Sequence, residues 1–362
     1  MALSSPTLFA TACFMAFLVS HVAVCQGAGP RRSFISWSDI TIGNYRYENV
    51  FKGVEDSDGS QVLFVSKNGG GDSTTVQGAV DKIPDGNSRR VKILISPGVY
   101  NEKVVVPNSK PFVSFIGNGS FAADTVIWYN LRASDRYPDG GMVGTYDSAT
   151  VAIESDYFCA YRITFQNSAP AAVAGEEGEQ AVALRLSGDK AMVHRCRILG
   201  SQDTLFDHFG RHYYYQSYIE GSIDFIFGSA RSLYDDCTLL SVAKSYGAIA
   251  ASQRKSPMDN MGFSFVGCKL YGTGMVYLGR AWGSYATVVY SNCKLEGIVI
   301  PQGWDDFGDP ARRATTYFGQ YNCRGEGADL TRRVPWAKAL TYEEAKPYLS
   351  KTYVNGDQWL QL

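Results

Sequence analysis

The sequence predicts an all-β chain wound as a single-stranded parallel β-helix with short capping helices, and three observations carry that expectation. A loose repeat recurs through the middle of the chain. Its units alternate small and large apolar residues in the manner of strands. Composition agrees: 13% aromatic residues, 23 Tyr and 37 Gly in 362 residues favour strands and turns over a helical bundle.

The chain opens on an export-like segment. Leu8 to Val24 is almost wholly apolar, broken mainly by Ser20 and His21. Ala23 and Cys25 are small residues at the −3 and −1 positions of a cleavage site after Cys25, with Ala28 a rival. Residues 1–25 therefore read as a signal peptide, although the usual basic n-region is missing. A buried helix or a membrane anchor is the competing reading. No second apolar stretch of that length follows, so a soluble, secreted chain is expected. Residues 26–60 read as an extended lead-in, and 61–362 as one β-helix domain whose C-terminal tail packs back.

A helical signal comes next. Ser73–Gln77 (STTVQ) offers a capping box, and Val76, Ala79, Val80 and Ile83 fall at helical spacing before Pro84. Such a helix would cap the open N-terminal end of a solenoid. The repeat units follow: YRITFQN from 161, HRCRILG from 194, YQSYIEG from 215, DDCTLLS from 235, VGCKLYG from 266 and SNCKLEG from 291. Their aligned apolar residues are Phe165, Ile198, Ile219, Leu239, Leu270 and Leu295, at steps of 33, 21, 20, 31 and 25. Short coils, some carrying loops, produce such steps. A β-sandwich is the alternative from pattern alone. Cys196, Cys237, Cys268 and Cys293 share one place in the unit and read as an interior ladder, though an oxidising compartment permits disulfides. Thr341–Glu344 (TYEE) offers a second capping box, with Trp336, Leu340, Ala345 and Leu349 as apolar packing surface.

Charge and motifs exclude several functions. Lys and Arg number 34 and Asp and Glu 35, a net charge of −1 that gives no footprint for nucleic acid. There is no GxSxG elbow, no phosphate-binding GxxxxGK[ST] loop and no HExxH. Without a CxxC pair, and with only His194, His208 and His212 beyond the leader, no metal or cofactor is expected. Asp235–Asp236 and Asp305–Asp306 lack an EF-hand context and read as loop residues. Asn118-Gly119-Ser120 is a glycosylation sequon.

What remains is a polar cluster where core strands should run. Gln180 opens one coil (QAVALR), Gln202 and Asp203 the next (GSQDTLF), and Asp224 the one after (GSIDFIFG). Gln180 to Gln202 is 22 residues and Asp203 to Asp224 is 21. Both equal one short coil, which stacks these residues on rungs ~4.8 Å apart. Ile223, Phe225 and Phe227 share one strand face, so Asp224 is expected to point away from the core. Gln202 and Asp203 are adjacent, so at least one must sit at a bend. Any one of them alone reads equally well as a turn cap; four at one-coil spacing point to a site.

Five segments now stand in order: GVYNE from 98, QAVALR from 180, GSQDT from 200, IEGSIDFIFG from 219 and YLGRAWG from 277. Together they resemble the signature set of plant pectin methylesterases, over nearly all of Phe64 to Trp359. The resemblance is to a form without an inhibitor-like pro-domain. It implies a right-handed parallel β-helix and an ester hydrolase that frees methanol from methyl galacturonate units of pectin. It implies Asp224 as nucleophile, Asp203 as general acid and base, Gln180 and Gln202 as oxyanion donors, and Arg280 as the cation beside Asp224. Substrate contacts would come from Gln180, Arg280, Trp282, Thr145 and Phe225, with Trp282 a sugar platform on the strand face of Arg280. The implied partners are methyl-esterified homogalacturonan and a proteinaceous inhibitor, with no nucleic acid or membrane. The implied state is a monomer in the extracellular cell wall.

Two departures stand out: Ala281 lies where Pro is usual, and Asp207–Tyr215 is atypical. Two rival functions remain. Paired carboxylates also suit a retaining glycosidase that cuts the pectin chain, and a wall-polysaccharide binder could keep the groove without turnover. The paired glutamines favour acyl chemistry over the first, and the survival of all five polar residues argues against the second.

Overall fold

From Arg162 onward, seven successive coils turn a corner on a single residue with left-handed backbone. Arg162, Arg195, Gln216, Asp236, Asn292 and Asn322 hold φ between 48° and 56°, and Gly267 takes the same place at 65°. Left-handed φ disfavours side chains with a Cβ. Here the corners support one another along the solenoid. Arg195 Nε donates to Gln216 at 3.1 Å, Gln216 to Asp236 at 3.2 Å, and Asn322 to Asn292 at 2.8 Å.

The computed structural model describes residues 34–43, 54–171 and 176–362. The expected signal peptide, residues 1–25, lies outside them. Parallel strands stack into a β-helix with three walls. The first is a sheet of twelve strands among the described residues, including Val91–Ile95, Ala191–His194, Arg211–Tyr215 and Arg231–Asp235. The other two walls merge into one sheet because the long strands Thr238–Ser252 and Lys269–Arg280 run from one into the other. The second wall carries the repeat in register: Phe165 pairs with Ile198, then Ile219, Leu239, Leu270 and Leu295. All six are fully buried. The third wall, with Leu184–Leu186, Leu205–Asp207 and Ile226–Gly228, positions the site.

The interior is filled by stacks. Tyr214, Tyr234, Phe265 and Tyr290 stack face to face with ring centres 4.5, 4.6 and 4.5 Å apart. Cys196, Cys237, Cys268 and Cys293 are buried thiols, and each sulfur approaches a backbone carbonyl between 3.3 and 3.6 Å away. No disulfide links the described cysteines.

A polar strap crosses this interior within the atypical 207–215 stretch. Asp207, from the third wall, is wholly buried and accepts from His212 Nδ1, from Tyr214 at 2.9 Å and from Tyr234 at 2.7 Å. His212 Nε2 meets the Gly188 carbonyl at 2.8 Å. Both imidazole nitrogens therefore face acceptors, and the ring carries two protons and a charge. Burial alone would depress the His212 pKa, but Asp207 and the Gly188 carbonyl raise it above its ordinary value. Burial would likewise raise Asp207, and His212 holds it below.

The N-terminal helix forms at Val76–Asp81, with a different cap from the one expected. Thr75 is the N-cap and accepts from Gly78 at 3.0 Å. The free N–H groups of Val76 and Gln77 donate to the Glu102 carboxylate at 2.9 Å each. An acid brought by the next coil thus satisfies the first helical N–H groups and favours the positive end of the helix, while the Thr75 N–H donates to Ser73 Oγ. The C-terminal capping box forms as read: Thr341 caps Tyr342–Ala345, with Glu344 reaching back to its N–H at 2.8 Å. At the chain's ends Ile35–Ser36 pairs in parallel with Leu360–Gln361. Trp359 is buried against Ile35 in the same small cluster.

Candidate active site

The third wall presents one row of side chains outward. In register these are Arg185, Phe206, Phe227, Ala251 and Arg280. Loops rise on either side and enclose a cleft of 460 Å³ lined by Thr145, Tyr146, Gln180, Gln202, Asp203, Phe206, Asp224, Phe227, Ala251, Arg280, Trp282 and Phe307. Phe206 and Phe227 stack at 4.3 Å and make a flat apolar floor. Tyr146 meets Phe206 edge-on at 6.2 Å, and Trp282 leans over Phe227 at 6.0 Å. Flat apolar rings beside convergent polar groups suit a sugar-acid chain.

Asp203 and Asp224 sit on the cleft's corner, one coil apart. Both have left-handed backbone, φ 60° and 45°, and the Asp203 N–H donates to the Ile223 carbonyl at 3.0 Å. Aspartate tolerates this conformation better than most side chains. Their electrostatic settings differ. Arg280 donates from Nε to one Asp224 oxygen at 2.8 Å and from Nη2 to the other. Burial raises the Asp224 pKa, and this two-point contact opposes the rise. Asp203 is pushed well above the usual carboxylate range, first by burial and then by Asp224, with only a distant offset from Arg280. The pair therefore holds one proton preferentially on Asp203. Arg280 is itself held protonated by Asp224 against the cost of burial, and its guanidinium stacks 4.5 Å from the Phe307 ring centre.

Gln180 and Gln202 open onto the same cleft. Their side-chain amides make no hydrogen bond to any described residue, which leaves their N–H groups free for a bound oxygen. The Ala181 N–H donates to the Gln202 carbonyl at 3.1 Å and ties the two segments together.

The structure thus brings together Asp203, Asp224, Gln180, Gln202, Arg280, Trp282 and Thr145. It corrects three expectations. Phe225 is fully buried in the main core and touches no part of the cleft. The simple alternation that placed Asp224 also fails: its left-handed backbone resets the pattern, so Phe225 and Ile226 both enter the core while Phe227 faces out. Trp282 is not on the strand of Arg280, which ends at that arginine; it reaches the cleft from the turn beyond. Asn118 is half-buried just past the strand Val113–Gly117, away from the cleft. Asp235 and Asp236 bond to Tyr213 and Gln216, and Asp305 and Asp306 cap the backbone of Phe307 and Gly308.

Sequence reasoning missed Tyr146, Phe206, Phe227 and Phe307. The two floor residues repeat at 21, the same step as the aspartates, and that signal was available. Tyr146 and Phe307 come from loops, where no periodicity points to them.

Comparison with known proteins agrees with this geometry. The family model described as Pectinesterase matches residues 62–357. Pectinesterase QRT1 of Arabidopsis thaliana is 54% identical over 346 residues, covering 91% of each chain. Probable pectinesterase 8 of the same plant is 42% identical, over 84% of this chain and 78% of its own. Among solved structures, the pectin methylesterase from carrot superposes with a TM-score of 0.74 at 33% identity, over 82% of this chain and 94% of the other. That from Aspergillus niger in deglycosylated form gives 0.70 at 29%, over 83% and 96%.

Proposed function

This chain belongs to the pectinesterase family and is a carboxylic ester hydrolase that demethylates pectin; from that premise, we propose that Asp224 and Asp203 carry out the reaction as an unequal pair. The observation that supports the assignment is the asymmetry itself. Arg280 grips both oxygens of Asp224, whereas Asp203 faces Asp224 without a bonded cation.

The ionised Asp224 attacks the ester carbonyl carbon, and the carbonyl electrons move to oxygen. Gln180 and Gln202 donate to that oxyanion, an effect worth roughly 3 kcal/mol per donor. As the tetrahedral species collapses, protonated Asp203 gives its proton to the methoxy oxygen, and methanol leaves. Asp224 is then joined to the galacturonyl group as an anhydride. Asp203, now a carboxylate, takes a proton from water as it attacks the acyl carbon. Collapse of this second tetrahedral species expels the Asp224 carboxylate and frees the galacturonic acid group, which gives its remaining proton to solvent, and Asp203 is again protonated. Arg280 and Trp282 hold the polymer beside the pair, with Thr145 on the cleft wall. No step draws on a metal.

The test is methanol release from highly methylated pectin, with polymer viscosity followed in parallel and with and without chelator. Methanol release at constant viscosity is expected. A fall in viscosity without methanol would point to cleavage of the glycosidic chain.

The proposal extends to where the chain works. Residues 1–25 carry the composition of a signal peptide, so we place the protein outside the cell, in the wall, with a glycan at Asn118. A proteinaceous inhibitor as partner and a monomeric state follow from the family resemblance. Mass analysis of secreted protein, before and after deglycosylation, checks both the cleavage and the glycan.

A further inference from the structure

The backbone between Arg280 and Trp282 leaves the sheet, yet it carries two cleft side chains that need a fixed aim. Ala281, between them, points into the core and is fully buried. Its N–H donates to the Asp305 carbonyl at 2.9 Å. Its carbonyl accepts from Arg312 Nη1 at 2.6 Å, and the same nitrogen reaches the Trp282 carbonyl at 3.0 Å. Arg312 lies in the short helix Pro310–Ala314, where its Nε pairs with Asp309 at 3.1 Å. Its guanidinium carbon lies 5.7 Å from the Phe307 ring centre, against 4.5 Å for that of Arg280. One ring therefore contacts both guanidinium groups, and the Phe307 N–H is itself fastened to the Asp305 carboxylate at 2.9 Å.

Ala281 gives this arrangement its meaning. A proline there would fix φ but donate no hydrogen bond. An alanine leaves φ unrestrained by a ring and supplies an N–H. That N–H, together with the two carbonyls on Arg312, restrains the segment from both sides. Arg312 does not line the cleft, so its effect there must pass through the groups it holds.

We propose that Arg312 is a positioning residue: through the Ala281 and Trp282 carbonyls it keeps Arg280 aimed at Asp224 and Trp282 aimed at the polymer. The inference rests on the roles given above to Arg280 and Trp282. A displacement of about 1 Å in such a constellation costs up to ~10²-fold in rate.

The test uses full-length Arg312→Ala and Arg312→Lys, with Arg280→Ala as a check on the underlying assignment. Methanol release is measured against pH, with thermal melting alongside. For Arg312→Ala, kcat/KM per folded molecule should fall about tenfold. The acid limb of its pH profile should also move upward, because Asp224 ionises less readily when Arg280 is poorly held. The other charged or titratable groups around that carboxylate are Asp203, Asp305 and Tyr246, and none of them is altered. Arg312→Lys retains a cationic donor and should recover much of the loss. Should Arg312→Ala not fold, Arg312→Lys carries the test: a partial fall in kcat/KM with a partly raised acid limb is expected, and an unmoved limb with unchanged kcat/KM overturns the proposal. Lower melting with unchanged kcat/KM and an unmoved acid limb means that Arg312 is structural only, and overturns the proposal. Loss of activity without a shifted limb and without recovery in Arg312→Lys overturns it as well. An inactive Arg280→Ala beside a fully active Arg312→Ala sinks the positioning role alone. An active Arg280→Ala removes the assignment of Arg280, and the positioning role with it.

Discussion

Arg280 donates to both carboxylate oxygens of Asp224, a residue 56 positions earlier in the chain. The contact crosses from the end of one long strand to a corner two rungs away. It gives two otherwise similar acids different electrostatic settings, which in the proposed mechanism suit one as nucleophile and the other as proton donor.

Asp224→Asn should therefore abolish methanol release, with a loss in kcat of about 10⁴-fold or more. An amide keeps the shape but cannot attack. Removing the charge leaves Arg280 with a weaker partner, so a stability loss of about 1–3 kcal/mol is expected, short of unfolding. Substantial turnover by a folded Asp224→Asn would end the two-aspartate mechanism.

Asp203→Asn should separate the two half-reactions. The nucleophile remains, but methoxide must leave without a proton, and water lacks its base. With an activated galacturonate ester, whose leaving group needs no protonation, the acyl-enzyme should form and persist. Mass spectrometry should find the adduct on the peptide containing Asp224; an adduct on a serine would refute the assignment.

Trp282 is half-buried and packs on Phe227, yet one face belongs to the cleft. Trp282→Ala should raise the Kd for demethylated polymer about tenfold, ~1.4 kcal/mol. Its melting temperature should fall by only a few degrees. A large drop in melting temperature with full affinity in the folded fraction would make Trp282 a core residue.

The His212–Asp207 pair should leave a signature in stability against pH. His212 has a raised pKa, so its contribution is complete below the unfolded value of about 6.5 and is lost as pH rises through the folded value. Asp207 is lowered, so its contribution is present above about 3.9 and is lost as pH falls. His194, which burial pushes down to about 4, and His208, also lowered, act only on the acid side of 6.5. The decline in melting temperature above about pH 6.5 thus reports His212 among the histidines. His212→Gln should lose about 3 kcal/mol at pH 6, because it strands a buried carboxylate. It should also flatten that alkaline decline. An unchanged slope would mean that His212 is neutral in the folded protein.

The coils were legible in the sequence because a parallel wall repeats its buried residues at the same place in every turn. All six residues from Phe165 to Leu295 pair in one column. The aspartates were legible for the same reason, since their 21-residue step matches the register that pairs Phe206 with Phe227. Orientation was less legible. A left-handed residue at Asp224 breaks strand alternation without leaving any mark in composition, so Phe227, which alternation puts on the core face, lines the cleft instead. Contacts made between coils were hidden too. Glu102 caps a helix that begins 26 residues before it, and Phe307 enters the cleft from a loop with no periodic signal. The 207–215 stretch looked unusual, but its purpose appears only when Asp207, His212, Tyr214 and Tyr234 are seen to point into one interior.

The short parallel pair between Ile35–Ser36 and Leu360–Gln361 has a temporal consequence. The first of these strands leaves the ribosome 325 residues ahead of its partner, since Ile35 pairs with Leu360. During synthesis the early strand has no register to adopt, and the coils must assemble without it. Its docking against Leu360 and Trp359 accordingly follows the coils between them, and it makes two segments far apart in the sequence mutually dependent. A clip just before Trp359 should release the segment around Ile35 to proteolysis while the coils between them stay intact.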